Sequence, residues 1–138
     1  MRAGALCVLL LATGVLLFAG CASTIVTAAK TVTTAAELAK VASDAFVKFD
    51  AATQLKIVNE AANRMNAEAS LVSYRVKQKA IADSFVVFDR ALEVAKTAIV
   101  LAHATGNGAA VAPAVVELLK AADALRLALA TVGLRLGG

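Results

Sequence analysis

The sequence predicts an all-α fold, an elongated antiparallel hairpin of two long helices with a third helix packed on one half of it. Three observations predict this three-helix bundle. From Cys21 to Thr105 the chain contains neither Gly nor Pro and is rich in Ala, which favours helix. Apolar residues recur at alternating steps of three and four, the spacing of helices that pack side by side. Gly106-Asn107-Gly108 then ends the long helical stretch and turns the chain.

The two arms of the hairpin are predicted at about 24–62 and 67–105, with the turn between them at 62–69. Asn63 and Asn66 are candidate N-caps in that turn, since an Asn side chain accepts hydrogen bonds from the first free N–H groups of a helix. An uninterrupted helix is the alternative, because Lys, Glu, Arg and Glu follow one another at four-residue steps across the same stretch.

A short internal sequence similarity favours the turn over an uninterrupted helix. The segment Asp44–Asp50 is answered by Asp83–Asp89, and each segment carries two phenylalanines. In an antiparallel hairpin, residues at one level have a constant sum of residue numbers. A turn centred near residue 67 would therefore set Phe46 level with Phe88, and Phe49 level with Phe85. We expect these rings to fill the gap between helices that are otherwise lined by alanine.

The third helix is predicted at about 112–136, where Pro113 suits the first turn of a helix. This helix should climb back along the hairpin and reach the level of about residue 53. Leu129 and Val132 would then meet the four phenylalanines. The predicted core residues are Phe46, Phe49, Phe85, Phe88, Leu129 and Val132.

The far end of the hairpin, roughly residues 54–80, has no third helix to cover it in this arrangement. Exposed apolar residues of that kind often mark a contact surface, for a second copy or for another protein. The alternative is that alanines let the two helices close tightly and leave little exposed. The candidate partner contacts are Ile57, Met65, Leu71, Tyr74, Arg75 and Lys79.

The N-terminus carries a targeting pattern. Arg2 precedes an apolar run over residues 3–18, and Phe18-Ala19-Gly20-Cys21 follows directly. This end resembles the lipobox signal peptide of bacterial lipoproteins, although Leu is more usual where Phe18 stands. The resemblance implies cleavage between Gly20 and Cys21 and lipid attachment at Cys21. It divides the chain into a signal peptide, 1–20, and a helical domain, 21–138.

An ordinary secretory signal or an uncleaved anchor is the alternative. Sixteen apolar residues rise only about 24 Å as a helix, which is short of a hydrocarbon layer of about 30 Å. With Cys7 removed and Cys21 lipidated, the mature chain would hold no free thiol. The resemblance implies a lipid-anchored protein of the cell envelope that faces the periplasm. Ala22, where inner-membrane lipoproteins often have Asp, favours the outer membrane, and the third helix would lie on the membrane-proximal half.

The residues indicate no catalytic, metal or cofactor site. His103 is the only histidine, and no second metal ligand lies three or four positions from it. Charged residues at four-residue steps, such as Lys79 and Asp83, indicate a solvated helix face rather than an acid/base pair. A net charge of +4 spread along 138 residues does not fit a nucleic-acid-binding face. Close-packed alanine seams leave little room for a small-molecule substrate.

The function that these observations predict is non-enzymatic. The chain would be a lipid-anchored helical spacer or adaptor of the cell envelope that presents the tip of its hairpin to a protein partner. Arg75, Lys77 and Lys79 form the densest basic cluster, although helical spacing sets Lys77 nearly opposite Arg75. A contact with an acidic protein or an anionic envelope polymer is one interpretation of this cluster, and solubility is the other. The alternative function is that of a small phage-type lipoprotein acting in lysis or superinfection exclusion.

Overall fold

The computed structural model describes residues 22–135, which form three α-helices joined by two short connections. Helix α1 spans Ala22–Glu60, α2 spans Arg64–Thr105 and α3 spans Val111–Ala130. At about 1.5 Å per residue, the two arms are roughly 58 and 63 Å long and α3 is roughly 30 Å long. Each helix packs against the other two, and the predicted all-α three-helix bundle is confirmed. None of these three helices is both long and apolar enough to cross a membrane.

The turn between the arms occupies residues 61–63, at the near edge of the predicted range. Asn63 lies in an extended conformation, and its side-chain oxygen accepts a hydrogen bond from the backbone N–H of Asn66 at 2.9 Å. Asn63 is therefore the N-cap of α2, because it satisfies one of the N–H groups that a helix start leaves free. The uninterrupted helix is excluded.

The four-residue row of charges is divided by this turn rather than continuous through it. At the end of α1, the Nζ of Lys56 lies 3.9 Å from the Oε1 of Glu60. At the start of α2, the Nε of Arg64 lies 2.9 Å from the Oε1 of Glu68. Each pair supports its own helix and neither bridges the turn. Exposed pairs of this kind stabilise a helix by only a few tenths of a kcal/mol, so a good cap outweighs them.

The register of the hairpin differs from the predicted one. The rings of Phe46 and Phe85 face each other, with their centroids 6.3 Å apart at a tilt of 40°. The expected levels, Phe46 with Phe88 and Phe49 with Phe85, are therefore wrong by about one helical turn. The turn at residues 61–63 lies before the predicted centre near residue 67. An earlier turn lowers the sum of residue numbers that share a level.

The core fills the half of the hairpin that α3 covers. Phe88 and Leu129 are fully buried in it, while Phe46, Phe85 and Val132 pack against it half-buried. Phe49 is also half-buried but lies outside this cluster. Much of the rest of the core is alanine, which lets the three helices approach closely. A few large side chains thus fill the space between small ones.

Helix α3 ends at Ala130, six residues before the predicted end. Gly133 takes a left-handed conformation with φ of 87°. The N–H of Gly133 donates to the carbonyl of Ala130 at 3.0 Å, and the N–H of Leu134 donates to the carbonyl of Leu129 at 3.2 Å. This pair of bonds is a Schellman motif, in which a left-handed glycine stops the helix. Leu134 then folds back against the core, as the hydrophobic contact of that motif requires.

The connection between α2 and α3 follows the predicted glycine turn. Gly106 is left-handed with φ of 71°, and its N–H donates to the carbonyl of Ala102 at 2.9 Å. The side chain of Asn107 accepts from the N–H of Ala109 at 3.1 Å. These two bonds end α2 and lead the chain into α3, which starts at Val111 and therefore holds Pro113 in its first turn, where no helical N–H is needed.

The burial pattern predicts which ring stabilises the bundle most. We expect Phe88→Ala to lower the free energy of unfolding by about 3–5 kcal/mol, because it leaves a cavity in the covered core. Phe46→Ala should cost less, since that ring is half-buried. The matched control is Val87→Ala on the exposed side of the same helix, which should stay within about 0.5 kcal/mol of the wild type. Urea unfolding followed by circular dichroism measures all three, and equal losses at positions 87 and 88 would contradict this core.

Candidate functional site

The half of the hairpin that α3 does not cover is built differently from the rest. Between residues 47 and 80, all of which are described, only Ala67 and Tyr74 are buried. The core cluster ends at Phe46 on α1 and at Ile81 on α2. We call residues 47–80 the distal half. It is a two-helix hairpin, so a large part of each helix surface faces solvent.

Apolar side chains are prominent on the surface of the distal half. Six large ones are more than half exposed, namely Val47, Leu55, Val58, Met65, Val72 and Val76. Single exposed apolar residues are ordinary on protein surfaces, but neighbouring ones on a helix face are informative. Val72 and Val76 are one turn apart and therefore adjacent on α2, at 61% and 69% exposure.

These two valines belong to a shallow, open depression on the outer face of α2, which we call the distal patch. Its lining residues are Val72, Arg75, Val76, Lys79, Ala80 and Asp83. The Nζ of Lys79 lies 2.7 Å from the Oδ2 of Asp83, so that lysine is already paired. Arg75 has no ion pair within residues 22–135. The patch thus combines an apolar surface with the guanidinium of Arg75, which has no acidic partner in the described chain.

The charge of the distal half is positive overall, since it holds six bases against three acids. Lys56, Arg64 and Lys79 have acidic partners one turn away. Lys77, like Arg75, has none in the described part of the chain, but it lies two positions along and so points about 200° away from Arg75. The distal patch therefore presents Arg75 as its free cation and offers charge complementarity to an acidic group.

The predicted contact residues separate into three groups. Arg75 and Lys79 line the distal patch, and Met65 is highly exposed at the start of α2. Ile57 and Leu71 are half-buried. The expectation that Tyr74 faces a partner is corrected, because it is only 7% exposed.

Tyr74 is buried because of its place on α2. It lies two positions before Val76, and residues two apart point to nearly opposite sides of a helix. Because Val76 lies on the outer face of α2, Tyr74 lies on the inner face. The same spacing identifies Val76, which sequence reasoning missed as a contact. Any residue two places from the seam of Tyr74, Ile81 and Phe88 belongs to the outward side of this helix.

Polar side chains of α1 lie close to Tyr74. Asp50 of α1 accepts hydrogen bonds from two glutamine amides, that of Gln54 at 2.9 Å on the same helix and that of Gln78 on α2. Thr53 lies beside them, half-buried. We call Asp50, Thr53, Gln54, Tyr74 and Gln78 the polar layer. Its bond from Gln78 to Asp50 links the two arms just beyond the covered core.

The hydroxyl of Tyr74 lies near Asp50 and Thr53 yet completes a hydrogen bond with neither. Burial raises the pKa of Tyr74 above its ordinary value, because removal from water disfavours the phenolate. Asp50 raises this pKa further, mainly because its carboxylate favours the protonated hydroxyl as a nearby acceptor and also because it repels the phenolate, while Thr53 acts in the opposite direction. A buried hydroxyl without a partner is a cost to stability rather than a gain.

The side chains that could bind a metal ion are dispersed in residues 22–135. No group of three or more His, Cys, Asp or Glu side chains lies close enough there to hold a metal ion. His103 is exposed in the last turn of α2, where a helix end favours a cation. Gly20 and Cys21, the predicted cleavage and lipid-attachment residues, lie outside the described residues. No protein-family model matches the chain, and neither curated proteins nor solved structures give a match.

Tyr74 is the only tyrosine and the chain has no tryptophan, so its ionisation is directly visible by ultraviolet absorbance. We expect the folded protein to titrate above the ordinary tyrosine pKa of about 10. A folded-state pKa that is raised means that its contribution to stability is complete below pH 10 and is lost as the pH rises beyond it. The urea-unfolded protein is the control and should titrate at the ordinary value.

Replacement of this tyrosine tests the same site. We expect Tyr74→Phe to keep the free energy of unfolding or raise it by up to about 1 kcal/mol, because it removes the unpartnered hydroxyl and keeps the ring. The variant should also lose the alkaline decline. Urea unfolding at pH 7 and at pH 11 measures both effects. A loss of more than about 1 kcal/mol at pH 7 would show that the hydroxyl has a partner.

Proposed function

We propose that this chain is a lipid-anchored protein of the cell envelope, a non-enzymatic helical spacer that presents the distal half of its hairpin to a protein partner. The observation that supports this most is the distal patch. An exposed apolar surface with a free cation lies on the part of the molecule that no third helix covers. A spacer needs a stiff body and a contact surface far from its anchor, and the chain offers both.

The anchor would lie at the opposite end from the tip. Cys21 immediately precedes Ala22, the first residue of α1, so a lipid on its sulfur would leave almost no tether. The connection at residues 106–110 returns to the same end, because α2 runs antiparallel to α1. The turn at 61–63 would then stand roughly 58 Å from the membrane surface if α1 rises perpendicular to it. We propose that the protein resides in the outer membrane, because Ala22 stands where inner-membrane lipoproteins often have Asp.

The distal patch suits a partner with its own apolar and acidic surface. Val72, Val76 and Ala80 would pack against apolar side chains, and Arg75 would pair with a carboxylate. Burial of apolar area supplies most of the free energy of such contacts, while charge complementarity governs specificity and the rate of association. The absence of an acidic neighbour for Arg75 within residues 22–135 leaves that charge available.

A binding role also agrees with the interior of the bundle. The core consists of alanine, aliphatic and phenylalanine side chains, and no charged residue in the described chain is buried. The ion pairs join residues three or four apart on exposed helix faces. General acids and bases are tuned by burial and by neighbouring charges, whereas these ion pairs lie in solvent. We therefore propose binding rather than catalysis.

Metabolic labelling with a fatty acid tests the anchor. We expect the wild-type protein to take up label and to fractionate with membranes, and Cys21→Ser to lose both properties. Cys7→Ser is the matched control, since it lies in the segment that cleavage would remove and should leave labelling unchanged. Sucrose-gradient separation of the two membranes then assigns the location. A wild-type protein without label would reject the lipid anchor.

Site-specific photocrosslinking tests the partner surface. A photoreactive phenylalanine at Val76 should give one discrete crosslinked product in cells. The matched control is the same probe at Val94, which is also exposed and lies eighteen residues along α2. Eighteen residues are five full turns, so both probes point to the same side of the helix. The control position should give no such product.

Charge reversal adds specificity to this experiment. Arg75→Glu should remove the product formed at Val76, because it places a carboxylate against the acidic group of the partner. Arg90→Glu, on the same side of α2 but outside the distal half, should leave the product intact. Equal products from both probe positions, or a product that survives Arg75→Glu, would count against the distal patch as the binding surface.

A further inference from the structure

The acidic residues of the chain all lie away from one end of the bundle. That end, which we call the basal end, consists of residues 22–36 and 94–116, where α1 begins, α2 ends and α3 begins. Its ionisable side chains are Lys30, Lys96 and His103. The first acids beyond it, one on each helix, are Glu37, Glu93 and Glu117. The basal end therefore carries cations and no negatively charged side chain.

The acids at the border of the basal end are largely neutralised by their neighbours. The Oε1 of Glu93 lies 2.8 Å from the Nζ of Lys96, and the Oε1 of Glu117 lies 2.7 Å from the Nζ of Lys120. Lys30 and His103, by contrast, have no ion pair within residues 22–135, and both are exposed. These two cations are therefore free to meet an anionic surface.

Apolar side chains are exposed beside these cations. Val26 is 51% exposed on α1, and Val100 and Leu101 are 66% and 56% exposed on α2. Val26 and Leu101 each lie four residues, or about 6 Å, from the end of their helix. The connection at residues 106–110 adds no charge to this end. An apolar rim thus surrounds the last turns of the bundle.

Several hydroxyl groups of the basal end are bonded within their own helices. Those of Thr27, Thr31 and Thr33 donate to the carbonyl four residues earlier at 2.9, 3.0 and 3.0 Å. The hydroxyl of Thr105 does the same at 2.8 Å. A polar group that already has its hydrogen bond costs less to remove from water. These bonds make the basal end suited to a surface where water is scarce.

The order of the chain brings the same end to a bilayer. The apolar run over residues 3–18 and Cys21 directly precede Ala22, the first residue of α1. A lipid on Cys21 would hold the basal end, and not the distal half, next to the membrane. Charge, exposed apolar side chains and chain order thus indicate one occupant for this end, a lipid surface.

We propose that the basal end seats in the headgroup layer of the membrane, with Val26 and Leu101 at the boundary of the acyl chains. Apolar faces of interfacial helices enter that boundary by about 5–10 Å, a depth that includes both side chains. Lys30 lies about 12 Å from the start of α1, where its long side chain reaches lipid phosphates. Acids are repelled from an anionic surface, which accounts for their exclusion from this end.

The seating rests on the proposed function in one respect, the attachment of this end to a membrane. It adds a direction to that function. A lipid on Cys21 holds one point of the rod and leaves its tilt free, whereas the ends of three helices resting on a bilayer keep the rod upright. The distal patch would then stand away from the membrane that holds the chain.

Tryptophan quenching in the full-length protein tests the seating. The chain has no tryptophan, so a single introduced one reports its own surroundings. The variants Leu101→Trp, Val94→Trp and Val58→Trp are extracted from membranes and reconstituted into vesicles of brominated phosphatidylcholine with phosphatidylglycerol. Bromine on the acyl chains quenches only a tryptophan that enters the bilayer. Fatty-acid label on the same samples reports the anchor separately.

The expected quenching falls with distance from the basal end. Val94 lies on the same side of α2 as Leu101 and about 10 Å further from the membrane. We expect quenching at position 101 to exceed that at position 94 at least about twofold, because the seated depth ends between them. Position 58, in the distal half, should show none. Equal quenching at 101 and 58 would mean that the rod lies flat, and would overturn the seating.

The two proposals fail in different ways in this experiment. A labelled protein without quenching at Leu101 keeps the lipid anchor and overturns the seating. Quenching at Leu101 in a protein without label supports the seating and rejects the lipid anchor.

An added acid tests the role of charge. Ala110→Glu places a carboxylate at the start of α3, where the helix dipole favours it, so the fold should be kept. We expect it to lower the quenching of Leu101→Trp at least about twofold, because the anionic lipid repels it. Ala110→Gln, of the same shape without charge, and Ala62→Glu, at the far turn, are the matched controls and should leave the quenching unchanged. Undiminished quenching in Ala110→Glu, with helix content intact by circular dichroism, would overturn the proposal.

Discussion

The length of α3 determines what each part of this molecule does. Twenty residues of α3 face two arms of about forty, so only half of the hairpin receives a third helix. Where α3 lies, Phe88 and Leu129 are fully buried. Beyond it, two helices alone cannot enclose a core, because each has only one neighbour. The valines of the distal patch lie on the outer face of α2, which is exposed along the covered half as well, as Val94 shows.

The polar layer lies at the boundary between these two halves. The bond from Gln78 to Asp50 is made where apolar packing gives way to the two-helix hairpin. An apolar contact tolerates sliding along a seam, whereas a hydrogen bond has one geometry. The layer therefore favours one alignment of α1 with α2. The unpartnered hydroxyl of Tyr74 shows that this is achieved at some loss of stability.

Local signals in the sequence were sufficient for the helices and the glycine turn, but not for their alignment. The cap at Asn63 and the left-handed Gly106 each act within a few residues, so sequence could identify them. The pairing of Phe46 with Phe85 depends on both arms at once, and a seam that repeats every three or four residues permits several registers. Gly133 stops α3 within an apolar pattern that otherwise continues. The burial of Tyr74 depends on how closely α1 packs against it, and the spacing of apolar residues in the sequence does not determine that distance.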